Sequence, residues 1–449
     1  MAPPILGTGP LTAGVSSPGT ALTGAEVLRR AHGAARRLDG VARVAVDEPD
    51  PVHRLCWLLG ADLAGSATLI VDPEWSRPES VLADAKPGAI VSGAPPEAAP
   101  VAARGDERTH FYLPTTSGSS GAPKVLVRTR GSWLASFTAL DVVLRRDDVV
   151  LVPGPLSSSL FLFGALHALH QDREVRLLPK WSATAVAEQC RDATVVHLVP
   201  AMLAALLSVW ERRPQLLAAC ALRLVVCGGA GVDGVLEERL RLLLPGCELL
   251  EYYGSAEHSL IAARRGAPRL RPLVDVDVRD AMGDSLPAEL GGVLWVRSEL
   301  TFDGHLRRGA LDAAEPGWSS VGDHAVRHDD GTVSVLGRTG STISTGGALV
   351  VAEEVESALR GSADVRDVVV AGTPHRRLGA LVTAVLEVDP RTAPTRAELR
   401  ARTRHLEPAK RPRRWLAVSA LPRTGSGKPA RAGIAEGLRE GTLDAEELR

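Results

Sequence analysis

The sequence predicts an α/β protein: a large N-terminal domain built from α/β sheet subdomains plus a β segment, followed by a small α+β C-terminal domain. Three observations carry that expectation. Short apolar runs alternate with helix-patterned stretches through the first half of the chain, the pattern of buried strands covered by helices. Beyond Ala263 the character shifts to Gly- and Asp-punctuated β segments such as Gly292-Val293-Leu294-Trp295-Val296. Finally, 449 residues with 45% apolar content exceed one ordinary core and suggest two or three domains.

The elements follow in order. Residues 1–22 are rich in Gly, Pro, Ser and Thr and read as a disordered tail. They lack the basic start and apolar run of a secretory signal. Thr23-Gly24-Ala25-Glu26 is a capping-box pattern, and Val27, Leu28, Ala31, Ala35 and Leu38 recur behind it at helical spacing. Ala42–Val46, Ala67–Val71 and Ile90-Val91 read as strands, and His53–Leu63 as a helix. Asp148–Val152, Glu174–Leu178, Thr194–Val199 and Leu222–Cys227 read as buried strands, with helices at Ala201–Trp210 and Val235–Leu244. The last unit carries a helix at Ala352–Leu359, strands at Val365–Ala371 and Leu381–Val388, and then a basic segment.

Composition excludes several classes. Net charge is −1, so nothing draws the chain as a whole to nucleic acid or an anionic membrane. No stretch of eighteen apolar residues is free of charge or proline, so no membrane span is expected. The five cysteines, Cys56, Cys190, Cys220, Cys227 and Cys247, form no C-x-x-C pair. They read as reduced, small buried residues of a cytoplasmic protein. There is no G-x-S-x-G elbow and no zinc-spaced cluster.

The chemistry centres on Thr115-Thr116-Ser117-Gly118-Ser119-Ser120-Gly121-Ala122-Pro123-Lys124. Its glycines allow close backbone approach, its amides and hydroxyls can cradle an anion, and Lys124 adds positive charge. This is the physics of a loop that wraps a polyphosphate. The spacing is not that of G-x-x-x-x-G-K-[ST], and a flexible polar loop is the plain alternative. Leu224–Ala230 is a strand ending in a glycine turn, the end of an α/β sheet where ligands bind; a plain strand-to-helix turn is the alternative.

The Thr116–Lys124 loop closely resembles the phosphate loop of the adenylate-forming (AMP-binding) superfamily, which includes acyl-CoA synthetases, peptide-synthetase adenylation domains and luciferases. Four further motifs follow in the family's order. Glu251-Tyr252-Tyr253-Gly254-Ser255-Ala256-Glu257 is similar to Tyr-Gly-x-Thr-Glu. Gly317-Trp318-Ser319-Ser320-Val321-Gly322-Asp323 is similar to Gly-Trp-x-x-Thr-Gly-Asp. The run from Gly337-Arg338 to Glu356 tracks the family's hinge and following loop. Leu421–Arg431 resembles the loop of its catalytic lysine. The chain departs at Val125, Ala256, Gly340, Ser341 and Ser344.

The resemblance implies a stand-alone acyl-CoA synthetase, or carboxylate-CoA ligase, that uses ATP, Mg²⁺ and CoA. Lys428 and Glu257 would be catalytic, with Glu257 the metal ligand. Thr116, Ser117, Gly118, Ser119, Ser120, Gly121, Lys124, Gly229, Ala230, Tyr253, Gly254, Asp323 and Arg338 would bind ATP. Phe161, Phe163, Gly164, His197 and Gly228 would line the acyl pocket. Gly340, Gly346 and Gly347 would form the hinge and CoA channel. Residues 23–339 would be the AMP-binding domain and 340–449 a mobile C-terminal domain. Leu156–Gly164 lacks the acid that peptide-synthetase domains use for an amino group, which favours a non-amino carboxylic acid. A carrier protein as acceptor, an o-succinylbenzoate-CoA ligase, and a non-catalytic nucleotide-binding relative are the other readings.

Overall fold

In the computed structural model the described residues are 3–7, 10–75, 77–116, 123–338, 342–345, 348–360, 364–389, 391–424 and 427–448. They divide into two compact units. The first comprises Met1–Gly231, Leu240–Pro268 and Ser298–Gly317, and the second Val232–Arg239, Arg269–Arg297 and Trp318–Arg449.

The first unit is built on two sheets. In one, strands Glu248–Ser255, Leu224–Gly228, Val195–Leu198, Val149–Val152, Glu174–Leu177 and Val15–Ser17 lie side by side in parallel. Ser259–Arg265 and Thr20–Leu22 close its two ends in antiparallel fashion. Strands 195–198 and 224–228 are buried along their whole length, as their unbroken apolar runs require. The second sheet runs Ala310–Ala313, Gly304–Arg307, Lys124–Thr129, His110–Tyr112, Ala67–Ile70, Arg43–Val46, Ala89–Val91.

Local chemistry sets the helix ends. Thr23 and Glu26 form both halves of the capping box before Gly24–Arg37. Asp50 accepts from the Val52 and His53 amides ahead of Pro51–Ala64, and Gly65 ends that helix in the left-handed conformation. A buried ion pair ties this helix to the start of the helix Arg130–Leu140. Asp62 Oδ1 accepts from Arg130 Nε at 2.8 Å, with both side chains almost wholly enclosed.

The opening segment is not the disordered tail its composition suggests. Ile5, Leu6, Leu11 and Val15 are buried. The Ile5 amide donates to Asp62 Oδ2 at 2.8 Å, and Val15 pairs with Val175. Four apolar side chains scattered among the prolines and glycines give the segment enough to bury, which a compositional reading averages away.

The second unit has its own cores. Strands Asp275–Arg279, Gly291–Arg297, Ser319–Arg327 and Val333–Arg338 form an antiparallel sheet. A further sheet orders Ala348–Val351, Thr342–Thr345, Gly379–Val388, Arg414–Val418 and Glu446–Glu447, with Val365–His375 also pairing along 379–388. Helix Ala352–Arg360 buries Val355 and Leu359 among Val368, Val370, Val382, Ala384 and Trp415. The expected helix at 352–359 and strands at 365–371 and 381–388 are present in slightly longer form. No described helix is long and apolar enough to cross a membrane.

Candidate active site

In the first unit the loop's ends are fixed by pairing. Thr115 opposes Val125 and Thr116 opposes Lys124. Ser117, Gly118, Ser119, Ser120 and Gly121 lie outside the described residues. Lys124 is exposed at the start of strand 124–129.

Glu257 sits half-buried in the tight turn between strands 248–255 and 259–265. Gly254 makes that turn possible. A Cβ there would stand 1.9 Å from the Ser259 carbonyl oxygen. The Ser255 hydroxyl accepts from the His258 amide and meets His258 Nδ1, both at 3.1 Å. That hydroxyl is engaged within the turn rather than standing in for the missing side chain at Ala256. Burial holds His258 below its ordinary range while Glu257 opposes the shift.

Two residues that the motifs do not mark join this corner. Strand 304–307 pairs with strand 124–129, setting His305 opposite Leu126. The neighbouring Phe302 amide donates to the Glu257 carbonyl at 2.8 Å, and the Phe302 ring packs edge-on against His305. His305 is pulled down by burial and then by Lys124, with Glu257 opposing. Lys124, His305 and Glu257 therefore share one electrostatic neighbourhood. Beneath it lies Arg128, which donates to Ala256 O at 3.3 Å and to Ser132 Oγ at 3.1 Å. Burial pulls Arg128 down to about 10, opposed by Asp303 and Glu257. A charged residue inside the apolar run Val125–Thr129 is the one signal that could have singled it out.

Gly228 ends its strand under an aromatic ring. A Cβ there would lie 2.5 Å from Tyr252 Cζ, so Tyr252 covers the glycine and is buried. Tyr253, on the opposite face of the strand, is only partly buried. Gly229 follows in the left-handed conformation at φ 83°, and Ala230 is exposed.

The residues assigned to an acyl pocket are enclosed in the interior. Phe161 is fully buried. Phe163 stacks on His167 with ring centres 5.6 Å apart and also meets Phe137 at 5.2 Å. Gly164 leaves room for the His197 ring, whose Cγ would be 2.7 Å from a Cβ. His197 Nδ1 is buried without a hydrogen bond. Burial drives His197 down to about 3 and His167 to about 4, so both are neutral imidazoles. The fold also brings an acid to Leu156–Gly164 from elsewhere: Asp72 Oδ2 accepts from Ser157 Oγ at 2.8 Å. Its Oδ1 accepts from the Glu74 amide, so both oxygens are engaged.

In the second unit two motifs fifteen residues apart become neighbours. Asp323 pairs directly with Arg338 across strands 319–327 and 333–338. The Glu353 carboxylate lies where Gly337 would carry a Cβ and is 3.8 Å from Arg431 Nη1. Arg431 also pairs with the fully buried Glu356, which accepts from the Val370 amide at 2.7 Å and from Arg360 at 2.8 Å. Arg431 thus anchors the segment that holds Lys428.

Backbone hydrogen bonds join Thr424 to Gly427 and Lys428. The Thr424 amide donates to the Lys428 carbonyl at 2.7 Å, and the Gly427 amide to Thr424 O at 2.8 Å. Arg423 ties it to Glu387 at 2.9 Å and to Asp367 at 3.1 Å. Lys428 is half-buried. Gly340, Gly346 and Gly347 lie outside the described residues.

Among the described residues no three of His, Cys, Asp or Glu are gathered to hold a metal. Magnesium needs no such cluster where phosphate oxygens complete its shell, so Glu257 alone fits that role.

Residues 80–306 match the family model described as AMP-binding enzyme, and residues 354–428 match the AMP-binding enzyme C-terminal domain. A Bacillus subtilis protein named as an uncharacterized acyl-CoA ligase, YhfT, is 28% identical over 440 residues, covering 89% of this chain and 88% of its own. The amide bond synthetase McbA from Marinactinospora thermotolerans is 26% identical with a TM-score of 0.84, covering 97% of this chain and 98% of its own. ATP-bound MatB from Rhodopseudomonas palustris is 22% identical with a TM-score of 0.86, covering 99% and 100%.

Proposed function

This chain belongs to the AMP-binding enzyme family, and from that premise we propose that it joins a non-amino carboxylic acid to AMP and passes the acyl group to CoA. The observation that carries the reading is the corner where Lys124, at the end of the Gly/Ser loop, meets the Glu257 turn and His305 in one electrostatic neighbourhood. An anion bound there would pair with the Lys124 ammonium, and Glu257 stands beside it to hold a cation.

Each residue has a stated task. A free carboxylate is a poor electrophile, and attack on the α-phosphate with loss of pyrophosphate turns it into a mixed anhydride. Such a displacement depends on positioning and charge stabilisation rather than on a general base. The Thr116–Lys124 loop would hold the β- and γ-phosphates. Glu257 would hold Mg²⁺, which when bound offsets phosphate charge. Asp323 would accept from the ribose hydroxyls. Arg338, opposite it, would fix the nucleotide's placement. Lys428 would stabilise the charge developing between carboxylate and α-phosphate. The buried, neutral interior around Phe163, His167 and His197 favours an acid without an amino group.

The test is pyrophosphate release with ATP, Mg²⁺ and a panel of carboxylic acids, followed by thioester analysis with CoA. Adenylation across the whole panel at the no-acid rate would sink the reading. Acyl-AMP that forms without any thioester, yet reacts with an amine, would favour the acceptor chemistry that McbA's name describes.

A further inference from the structure

We propose that Arg128 is a positioning residue for adenylation: its buried guanidinium holds the turn that presents Glu257, and so sets where that carboxylate stands beside the nucleotide. The inference rests on the reading of Glu257 as the residue that holds Mg²⁺. Strand 124–129 opens at Lys124, runs through Val125-Leu126-Val127, and then places Arg128 in the interior at 3% exposure. An arginine is almost never that enclosed without an acidic partner. Among the described residues no carboxylate lies within ion-pair distance of it, and its hydrogen bonds all go to neutral oxygens. An apolar side chain would complete the strand without the cost of stripping water from a charge. The guanidinium therefore has a task other than filling the core.

What the guanidinium touches shows the task. Nη1 donates to the Ala256 carbonyl at 3.3 Å, one residue ahead of Glu257. Nε donates to Ser132 Oγ at 3.1 Å and Nη2 to Ser132 O at 3.4 Å, which fixes the guanidinium plane on the helix Arg130–Leu140. One helical turn further on, the Ser136 hydroxyl donates to the same Ser132 carbonyl at 2.6 Å and meets Ser259 Oγ at 2.7 Å. The turn is thus gripped on both sides of Glu257, at Ala256 by Arg128 and at Ser259 by Ser136, with Ser132 joining the two grips. Ser259 takes φ 56°, a left-handed conformation that a residue with a side chain rarely adopts, and the Ser136 contact braces it.

The same strand also carries Lys124, opposite Thr116 at the end of the Gly/Ser loop. Arg128 therefore registers the Glu257 turn against the strand that anchors that loop, so that the anion side and the cation side of the site keep one spacing. Even pulled down to about 10 by burial, Arg128 stays charged at neutral pH, and Asp303 and Glu257 favour the charged form. It acts through the backbone of the turn rather than on substrate. Residues that orient a metal ligand from behind typically govern metal affinity by about 10–100-fold.

The experiment reads Mn²⁺ affinity by electron paramagnetic resonance on the full-length chain with α,β-methylene-ATP, which adenylation cannot cleave. Arg128→Met should weaken Mn²⁺ binding about tenfold. The circular dichroism spectrum should stay as it is, and so should calorimetric affinity for the same nucleotide without divalent ion. Glu257→Gln should also weaken Mn²⁺ binding, and adding Arg128→Met to it should weaken binding no further, because Arg128 acts through that carboxylate. Ser136→Ala should move the affinity the same way. Should Arg128→Met not fold, Ser136→Ala decides, and unchanged Mn²⁺ affinity there overturns the proposal. Mn²⁺ affinity that falls in Glu257→Gln but holds in Arg128→Met, or losses that simply add in the double variant, would overturn the proposal and leave the reading of Glu257 standing. Mn²⁺ affinity indifferent to Glu257→Gln would remove that reading, and the proposal with it.

Discussion

His197 and His167 are buried neutral imidazoles, and that fixes a pH dependence. The unfolded chain takes up a proton on each near pH 6.5, while the folded chain resists until about 3 and about 4. The folded values are depressed, so their stability contribution is complete above pH 6.5 and is lost as pH falls toward 4 and 3. At pH 5 each histidine should have removed about 2 kcal/mol. Urea titrations from pH 7 to 5 should show this loss, and His197→Gln should flatten the slope by about one proton. A different residue-scale effect is expected at Glu257. Glu257→Gln should lower the adenylation rate on the order of a hundredfold and raise the Mg²⁺ requirement. Pyrophosphate release measured against Mg²⁺ concentration checks it; wild-type dependence would remove the metal assignment.

The turn 255–258 and the segment 423–431 are the elements that present Glu257 and Lys428. The first depends on close approach at Gly254. Gly254→Ala would press a methyl group into the Ser259 carbonyl and should cost about 1–3 kcal/mol, with adenylation falling alongside. The second depends on Glu356, a carboxylate without solvent that holds Arg431, Arg360 and the Val370 amide. Glu356→Ala leaves the Val370 amide without its acceptor and takes one carboxylate from Arg431 and Arg360, which keep Glu353 and Asp367, and a loss of about 1–3 kcal/mol is expected in denaturant unfolding. Undiminished stability would mean that Arg431 finds another partner and that the Lys428 segment is anchored otherwise.

For the molecule as a whole, the division of labour between half-reactions is the property to test. Lys428 belongs to the second unit and the Gly/Ser loop to the first. We expect Lys428 to act in adenylation alone. Lys428→Ala should reduce acyl-AMP synthesis by about a hundredfold or more while sparing thioester formation from acyl-AMP supplied ready-made. Loss of both half-reactions together, with an unchanged circular dichroism spectrum, would place Lys428 in both steps.

Local sequence determined most of the elements and the motif positions. The capping box at Thr23, the helix 51–64 and the strands 149–152, 195–198 and 224–228 follow from periodicity and end chemistry acting within a few residues. The order of five motifs likewise needed no coordinates to name the family. Tertiary structure decided what depends on long-range contact. It set Asp323 against Arg338, brought Arg128 and His305 beside Glu257, and placed Asp72 on Ser157. It also ordered the opening segment, because the partner of Ile5 is Asp62 and that of Val15 is Val175. Such pairings join residues from fifteen to more than a hundred positions apart, and no local pattern encodes a partner at that distance. They arise only when burial of the apolar strands fixes which faces meet.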